Sequence, residues 1–527
     1  MLLHVLVFAP FLAALLMVAA SHHDYRSASR LAVLFAAALT VGSVMLIAAG
    51  SVSTTPHEWF FIPGCNATVY YVLASHGFGA WLVFLSSIVG LAALIAARSA
   101  LEAHYRNFAV GVFALMGALN GTFLAGDAVL FFFFFEAMVV PAAVLIGAYG
   151  GTDRKSAALN FAIYTLAGSA PMAIALWYIL AKAGSSNPFA IMLTIQMLPA
   201  HTQNILFWCF ALAFWVKTPL FPFHGWQAQT YAEAPAPLSA ILTGVMSKAG
   251  VFGFLYWVIP LFPMDNVANK MMWLGLLTAV YGSLMALRAT DAKKLLAFSS
   301  MGHLGLAVAG LFALSASTLP AVLVLLVGHG LSASAQFLLT GVAERFAGSR
   351  NLADMGGLAR RNPVFGFFFG FSGIAAIAIP GTVGFIGEFL VLLSLWSVGG
   401  LPAIVAGFCI ILSAAYMLRF IQAVLFGKAK GSLAKAPAQR FLIGDGLAVV
   451  PLLILLLVFG FHPAPIANSV SMPTAEENST DGGYDESWEN ASDVAGDSTA
   501  ADAVLEDSLV TGTDSVSAAQ EVPENAR

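Results

Sequence analysis

The chain has 527 residues, 59% of them hydrophobic and only 9% charged, with a mean hydropathy of +0.86. A soluble domain carries about 25% charged residues, so this composition excludes an ordinary water-soluble enzyme and points to a membrane protein. The formal charge of −4 conceals a division: 14 of the 27 acidic residues lie from Thr474 onward, where Arg527 is the one basic residue, and the remainder is basic.

Apolar runs of about 18 residues or more give fourteen candidate spans, near 2–20, 29–50, 75–97, 107–125, 128–149, 157–181, 204–226, 236–260, 271–287, 295–314, 319–343, 364–396, 401–426 and 442–461. The first begins Met1-Leu2-Leu3-His4, without the basic stretch of a cleavable signal, and is expected to be retained as a helix. Basic residues collect in alternate loops. Arg26 and Arg30 lie between spans 1 and 2, Arg98 and Arg106 between 3 and 4, Arg154 and Lys155 between 5 and 6. Arg288, Lys293 and Lys294 follow between 9 and 10, Arg345, Arg350, Arg360 and Arg361 between 11 and 12, and Lys428, Lys430, Lys435 and Arg440 between 13 and 14. The positive-inside rule puts these odd loops in the cytoplasm and both termini outside.

Four ionisable residues fall near the middle of spans, where a charge costs roughly 2.5–3.5 kcal/mol unless it faces a protein or water-filled interior. The first, Glu136, ends the run Phe131-Phe-Phe-Phe-Phe-Glu136 in the fifth span. Burial and a nearby cation push a carboxyl in opposite directions, so Glu136 can change state when a neighbouring charge moves. A structural ion pair between two helices is the alternative.

Lys217 precedes Thr218-Pro219-Leu-Phe-Pro222-Phe-His224 in the seventh span. Pro219 and Pro222 each remove a backbone donor and predict a broken helix, tolerated at membrane depth where it lines a cavity or is covered by protein. A lysine suits proton carriage better than an arginine, because its charge state responds to burial. A snorkelling side chain is the alternative, disfavoured by its central depth. Lys248 sits mid-span one hairpin later, and a water-mediated link to Lys217 fits the two depths. His303 and His329 fall in the tenth and eleventh spans and extend the series, with simple packing as their alternative.

Glu388 follows Pro380-Gly381-Thr-Val-Gly384-Phe-Ile-Gly387, so Pro380 and Gly381 predict a second break in the twelfth span. Spans 4–8 and 9–13 then read as two five-helix units, each with a polar group on its second span and a charge on a broken fourth. Glu136 and Lys217 are 81 residues apart, His303 and Glu388 85. An odd number of spans per unit inverts one repeat against the other. The predicted fold is therefore an all-α polytopic membrane protein of about 14 helices, two inverted five-helix repeats with helices 7 and 12 broken. The predicted divisions are 1–105, 106–262, 263–430, 431–473 and an acidic disordered tail at 474–527.

No P-loop, dinucleotide fingerprint or metal-ligand spacing occurs, and Cys65, Cys209 and Cys409 form no metal or Fe–S pattern. The expectation is no cofactor and no metal on this chain, no direct NADH binding and no nucleic-acid partner.

The motifs as a set resemble the antiporter-like subunits of respiratory complex I. They are Phe-Phe-Glu136 with Pro141, Asn160-Phe-Ala-Ile-Tyr164, Val216-Lys217-Thr-Pro-Leu-Phe-Pro-Phe-His224-Gly-Trp226, Glu233-Ala-Pro235, Ser299-Ser-Met-Gly-His303, His329-Gly-Leu-Ser and Pro380-Gly-Thr-Val-Gly-Phe-Ile-Gly-Glu388. The likeness runs in order through most of 80–430 and is similar above all to the M-type, or chain-4-type, branch, because Glu388 stands where sibling subunits carry lysine. The resemblance implies a proton-translocating subunit of a bacterial plasma-membrane NADH:quinone oxidoreductase, with the other membrane-arm subunits, lipid and protons as partners. It implies Glu136–Lys217 as a coupling pair, Lys248, His303 and His329 as a connecting axis, and Glu388 as the exit. One departure stands out: where the family usually continues Leu-Pro-Asp-Ala-His, this chain has Gln227-Ala-Gln-Thr-Tyr231. Ala236-Pro237-Leu238 is similar to multisubunit sodium/proton antiporters, so an antiporter or membrane-bound hydrogenase subunit is the nearest alternative. A stand-alone solute permease and a purely structural spacer are the more distant ones.

Overall fold

A computed structural model describes residues 1–19, 25–429 and 440–470. Among the described residues, twelve helices are long and apolar enough to cross a membrane, from Leu2–Ala19 to Ile443–Phe461. The two expected spans that do not appear as single long helices are the seventh and the twelfth. These are the two that proline and glycine mark as broken. The seventh is the helix Ala200–Lys217, an irregular stretch, and then the short helix Gln227–Glu233. The twelfth is Pro363–Ala376 and Val383–Val398, separated by residues 377–382, where Ala378 and Gly381 take positive φ. Lys217 thus precedes its break and Glu388 follows its own.

The freed backbone groups at the first break are satisfied by side chains, as membrane depth requires. Trp226 Nε1 donates to Val216 O (3.1 Å), Trp215 Nε1 to Phe221 O (2.9 Å), and Phe221 N to Thr278 Oγ1 (3.1 Å). Leu220 N reaches back to Trp215 O at 3.0 Å, closing a wide turn around the missing Pro219 donor.

Helix burial sorts the spans into a centre and a rim. Gly77–Ala100, Ala236–Val258, Ala292–Leu311 and Thr318–Ala347 are 83–94% buried over their apolar windows, whereas Leu2–Ala19, Tyr25–Ala49 and Gly400–Leu425 are 28–39% buried. Lys248, His303 and His329 all lie on the central helices, which is where a charge avoids lipid. Small residues allow the closest approach: the helices Ala268–Arg288 and Ala292–Leu311 pack backbone to backbone, a Cβ on Gly275 falling 2.6 Å from Ala309 N.

Hydrogen bonds tie alternate loops together, as they must if the chain crosses back and forth. On one face Arg345, after the eleventh span, pairs with Asp445 and bonds Ser99. On the same face Gly151 N donates to Glu233 O (2.8 Å) and Ala292 N to Arg350 O (2.9 Å). On the other face the hairpin of strands His57–Ile62 and Ala67–Tyr71 meets the 184–186 loop through Thr68 N and Gly184 O (3.0 Å). Those strands, with the pair Val52–Ser53 and Ala74–Ser75, are an addition to the expected all-helical plan. Cys65 is buried in the hairpin turn, and all three cysteines are free. The described residues form one compact unit. The tail from Thr474 and the residues Lys430 and Lys435 lie outside the described residues.

Candidate functional site

Four of the six ionisable residues singled out in the sequence form one contiguous buried row. It starts in the eighth span, where Leu242–Met246 is a π-helix. Ser247 N, which in an α-helix would bond Thr243 O, instead bonds Leu242 O at 3.1 Å. The Thr243 carbonyl is thereby released from the backbone ladder. It accepts the Lys248 ammonium at 2.5 Å and the Ser247 hydroxyl at 2.9 Å.

Lys248 Nζ also lies 2.9 Å from His329 Nδ1 on the Thr318–Ala347 helix. The His329 ring stacks on His303, centroids 5.1 Å apart and planes at 29°. His303 Nε2 is 3.0 Å from Glu388 Oε1, both side chains being less than 10% exposed. The row Lys248–His329–His303–Glu388 therefore crosses four helices without a gap.

Its proton chemistry follows from the donors. The Ser299 carbonyl, 2.9 Å from His303 Nδ1, can only accept, so Nδ1 carries a hydrogen. Nε2 and Glu388 Oε1 then share one more proton, which sits on the imidazole as an ion pair or on the carboxyl as a neutral hydrogen bond. Two positive charges on the stacked rings would repel by about 3 kcal/mol at an effective dielectric of ~20, so protonation of one histidine opposes that of the other. Beyond Glu388 lies a small pocket lined by Ser283, His303, Cys409, Ser413 and Tyr416. Tyr416 OH contacts Ser299 Oγ (2.9 Å) and donates to Ser413 Oγ (3.1 Å).

Lys217 and Glu136 are not bonded into the row. Lys217 is fully buried, with Nζ over the Phe135 ring at 4.6 Å from its centroid. Among the described residues neither Lys217 Nζ nor either carboxylate oxygen of Glu136 has a hydrogen-bond partner. The expected coupling pair is thus not closed into an ion pair in this structure. Lys217 is brought to the Lys248 helix by close packing: a Cβ on Gly250 would fall 2.6 Å from Phe214 O and against Thr218 Oγ1. Among the described residues no direct bond joins the two lysines.

Pro219, Pro222, Pro380 and Gly381 all fall within the two breaks. In the unusual segment Gln227–Tyr231, Gln227, Thr230 and Tyr231 fill core positions. Gln227 Nε2 donates to Ala297 O (3.0 Å), Asn160 Nδ2 to Gln229 Oε1 (3.1 Å), and Tyr231 OH to Leu242 O (3.1 Å).

Sequence reasoning did not single out Thr243, Tyr416 or Asp127, and named Ser299 only as part of the His303 motif. The π-turn that recruits Thr243 leaves no composition signal. Tyr416 with Ser413 one turn before it, on a span that also carries Arg419 and Gln422, was a readable one. Asp127 caps the helix that carries Glu136, accepting from Val129 N (2.8 Å), Leu130 N (3.0 Å) and the Ser186 hydroxyl. Burial pushes its carboxyl up to about 6, against those hydrogen bonds. Among the described residues no group of three or more His, Cys, Asp or Glu side chains could hold a metal ion.

Comparison with known proteins adds a family. The model of the NADH:quinone oxidoreductase/Mrp antiporter transmembrane family matches residues 125–413. NADH-quinone oxidoreductase subunit M of Rickettsia prowazekii is 33% identical over 394 residues, covering 74% of this chain and 80% of that protein. The Escherichia coli (strain K12) protein of the same name is 30% identical over 424 residues, covering 78% and 82%. A chain of respiratory complex I from Thermus thermophilus superposes with a TM-score of 0.78 at 28% identity, covering 89% of this chain and 98% of that one. A chain of the Mrp complex from Dietzia sp. DQ12-45-1b gives 0.78 at 20% identity, covering 89% and 96%, a likeness of fold.

Proposed function

Because this chain belongs to the NADH:quinone oxidoreductase/Mrp antiporter membrane family, we propose that it is the M-type proton-translocating membrane subunit of an NADH:quinone oxidoreductase. The observation that carries the reading is the unbroken row Lys248–His329–His303–Glu388. Each member gains or loses a proton, and each is close enough to its neighbour for charge on one to oppose or favour charge on the next. Lys217, Glu136 and the first helix break form the loading end; Glu388 and the Tyr416 pocket form the discharging end.

The chain supplies no redox cofactor in this reading. Electron transfer to quinone takes place in other subunits, and their rearrangement moves Lys217 relative to Glu136. Motion of that one charge changes the cost of a proton at Lys248 and so along the row. Each proton moved against the membrane potential requires about 2.3 kcal/mol per 100 mV, comparable with the repulsion between adjacent charged groups in the row. Neighbouring charges can therefore transmit along the row the drive that the other subunits supply. The partners are the other membrane-arm subunits, and the location is a bacterial plasma membrane with the basic odd loops in the cytoplasm.

The relatives at 30% identity or above favour this over the antiporter alternative, since those cited carry the NADH-quinone oxidoreductase subunit M name. The test begins with affinity purification of the chain in mild detergent and a native gel stained for NADH oxidation. Staining of a high-mass band that contains this chain is the expected result, and a band without that activity favours an antiporter or hydrogenase assembly. In the intact complex Lys217→Ala should assemble normally and lower proton pumping and coupled quinone reduction. Full, coupled pumping by that variant would refute the charge-row mechanism.

A further inference from the structure

The π-turn before Lys248 is held by a residue outside the row. Tyr231 is fully buried, its ring set edge-on to Trp226 and Phe337. Its hydroxyl donates to Leu242 O at 3.1 Å, the same carbonyl that accepts Ser247 N in the π register. Ser239 Oγ in turn donates to Tyr231 O at 2.9 Å, fixing the tyrosine backbone to the start of that span. Leu242 O thus accepts two hydrogen bonds, and the second exists only because Tyr231 reaches it.

The consequence runs through Thr243. A helix that relaxed to α would return Thr243 O to Ser247 N, a third donor competing with the Lys248 ammonium and the Ser247 hydroxyl for the two lone pairs of that carbonyl. Close packing at Gly244 and Gly250, where a Cβ would fall 2.1 Å from Ser334 Oγ and 2.0 Å from Thr218 Oγ1, ties the register of this span to its neighbours. We infer that the Tyr231 hydroxyl is a positioning residue for Lys248, holding the π-turn in the register that presents the ammonium to His329. It stands in the segment where this chain departs from the pattern it otherwise resembles, so the brace belongs to this chain's own sequence. The inference rests on the pumping reading above, with Lys248 as a working member of the row.

The test uses the assembled enzyme in membrane vesicles. Tyr231→Phe keeps the ring contacts and removes one hydroxyl. Proton pumping per NADH oxidised is measured as a function of pH, with NADH oxidation by ferricyanide as the measure of assembled enzyme. Losing one hydrogen bond should lower the share of molecules in the π register about three- to ten-fold. The expected result is full assembly, a roughly three-fold fall in pumping, a displaced pH optimum, and no further effect of Tyr231→Phe in a Lys248→Ala background. An unchanged pH profile in Tyr231→Phe, or an additive effect in the double variant, overturns the inference. So does loss of the assembled complex, because a hydroxyl that only positions Lys248 is not needed for folding. Wild-type pumping by Lys248→Ala would sink the pumping reading and this inference with it. Normal pumping by Tyr231→Phe with Lys248→Ala impaired sinks the inference alone.

Discussion

Replacing Arg350 by alanine should destabilise the protein by about 2–3 kcal/mol, a figure built from three contacts. The guanidinium reaches Glu233 Oε1 at 2.5 Å, Asp291 Oδ2 at 2.7 Å and Ala232 O at 2.8 Å. Removing one partner of a buried ion pair costs roughly 3–5 kcal/mol, because the other charge stays buried. Two features lower that figure here. The Arg350 side chain is 28% exposed, so water already shares its charge, and Glu233 Oε2 keeps the Asp153 N–H at 3.0 Å.

The pH dependence has a definite sign. Burial by itself would raise the Glu233 carboxyl, but Arg350, the Asp153 N–H and Lys293 outweigh it and hold the group below its ordinary range. A carboxyl held down contributes stability that is complete above its unfolded pKa of roughly 4.3 and is lost as pH falls through the folded value. Thermal unfolding of the purified complex in detergent, between pH 8 and pH 4, should show Arg350→Ala melting lower at neutral pH, with the gap closing toward acid. Arg350→Lys should recover about half the loss, since a point charge cannot bridge both carboxylates as the planar fork does. Equal melting at pH 7, or a gap unchanged down to pH 4, would refute the reasoning.

Three further outcomes are expected. Asp127→Asn keeps the helix cap while removing a carboxyl whose folded pKa of about 6 lies above its ordinary 3.8. The wild type loses stability as pH rises through that interval, so the variant should be more stable at pH 8, by up to about 3 kcal/mol, and equal at pH 4; the reverse ordering would show the carboxylate to be stabilising. Gly250→Ala would press a methyl group into Phe214 O and Thr218 Oγ1, costing about 1–3 kcal/mol in the same melting assay. Gly407→Ala, at a helix position with nothing within 4 Å, is the control that should not lower the melting temperature and should add up to about 1 kcal/mol of stability. Glu388→Gln retains a hydrogen-bond acceptor for His303 but not the charge, and the weaker bond should cut pumping about ten-fold while the NADH-stained high-mass band persists.

The span pattern was legible in the sequence because lipid imposes a simple rule: about 20 apolar residues for each crossing. The two exceptions were legible as well. Pro219, Pro222, Pro380 and Gly381 act on the backbone locally, whatever surrounds them. The hairpin at His57–Ile62 and Ala67–Tyr71 was not read, because its strands of six and five residues fall far below the length of apolar run that marks a crossing.

The ionisable residues were found singly, since each violates the apolar rule where it stands. Their partners were a different matter. The sequence linked Glu136 with Lys217 through a resemblance; in the structure neither side chain has a hydrogen-bond partner among the described residues, and Lys217 Nζ lies over the Phe135 ring. It offered His303 and His329 as a pair, and the stack of their rings follows from two helices packed side by side.

The sequence by itself determined which residues must leave the lipid and where the helices must break, because desolvation cost and a missing backbone donor belong to individual residues. Only the tertiary structure decided which of those residues meet. Contact across four helices depends on packing and register, and at Lys248 on a single π-turn that releases one carbonyl.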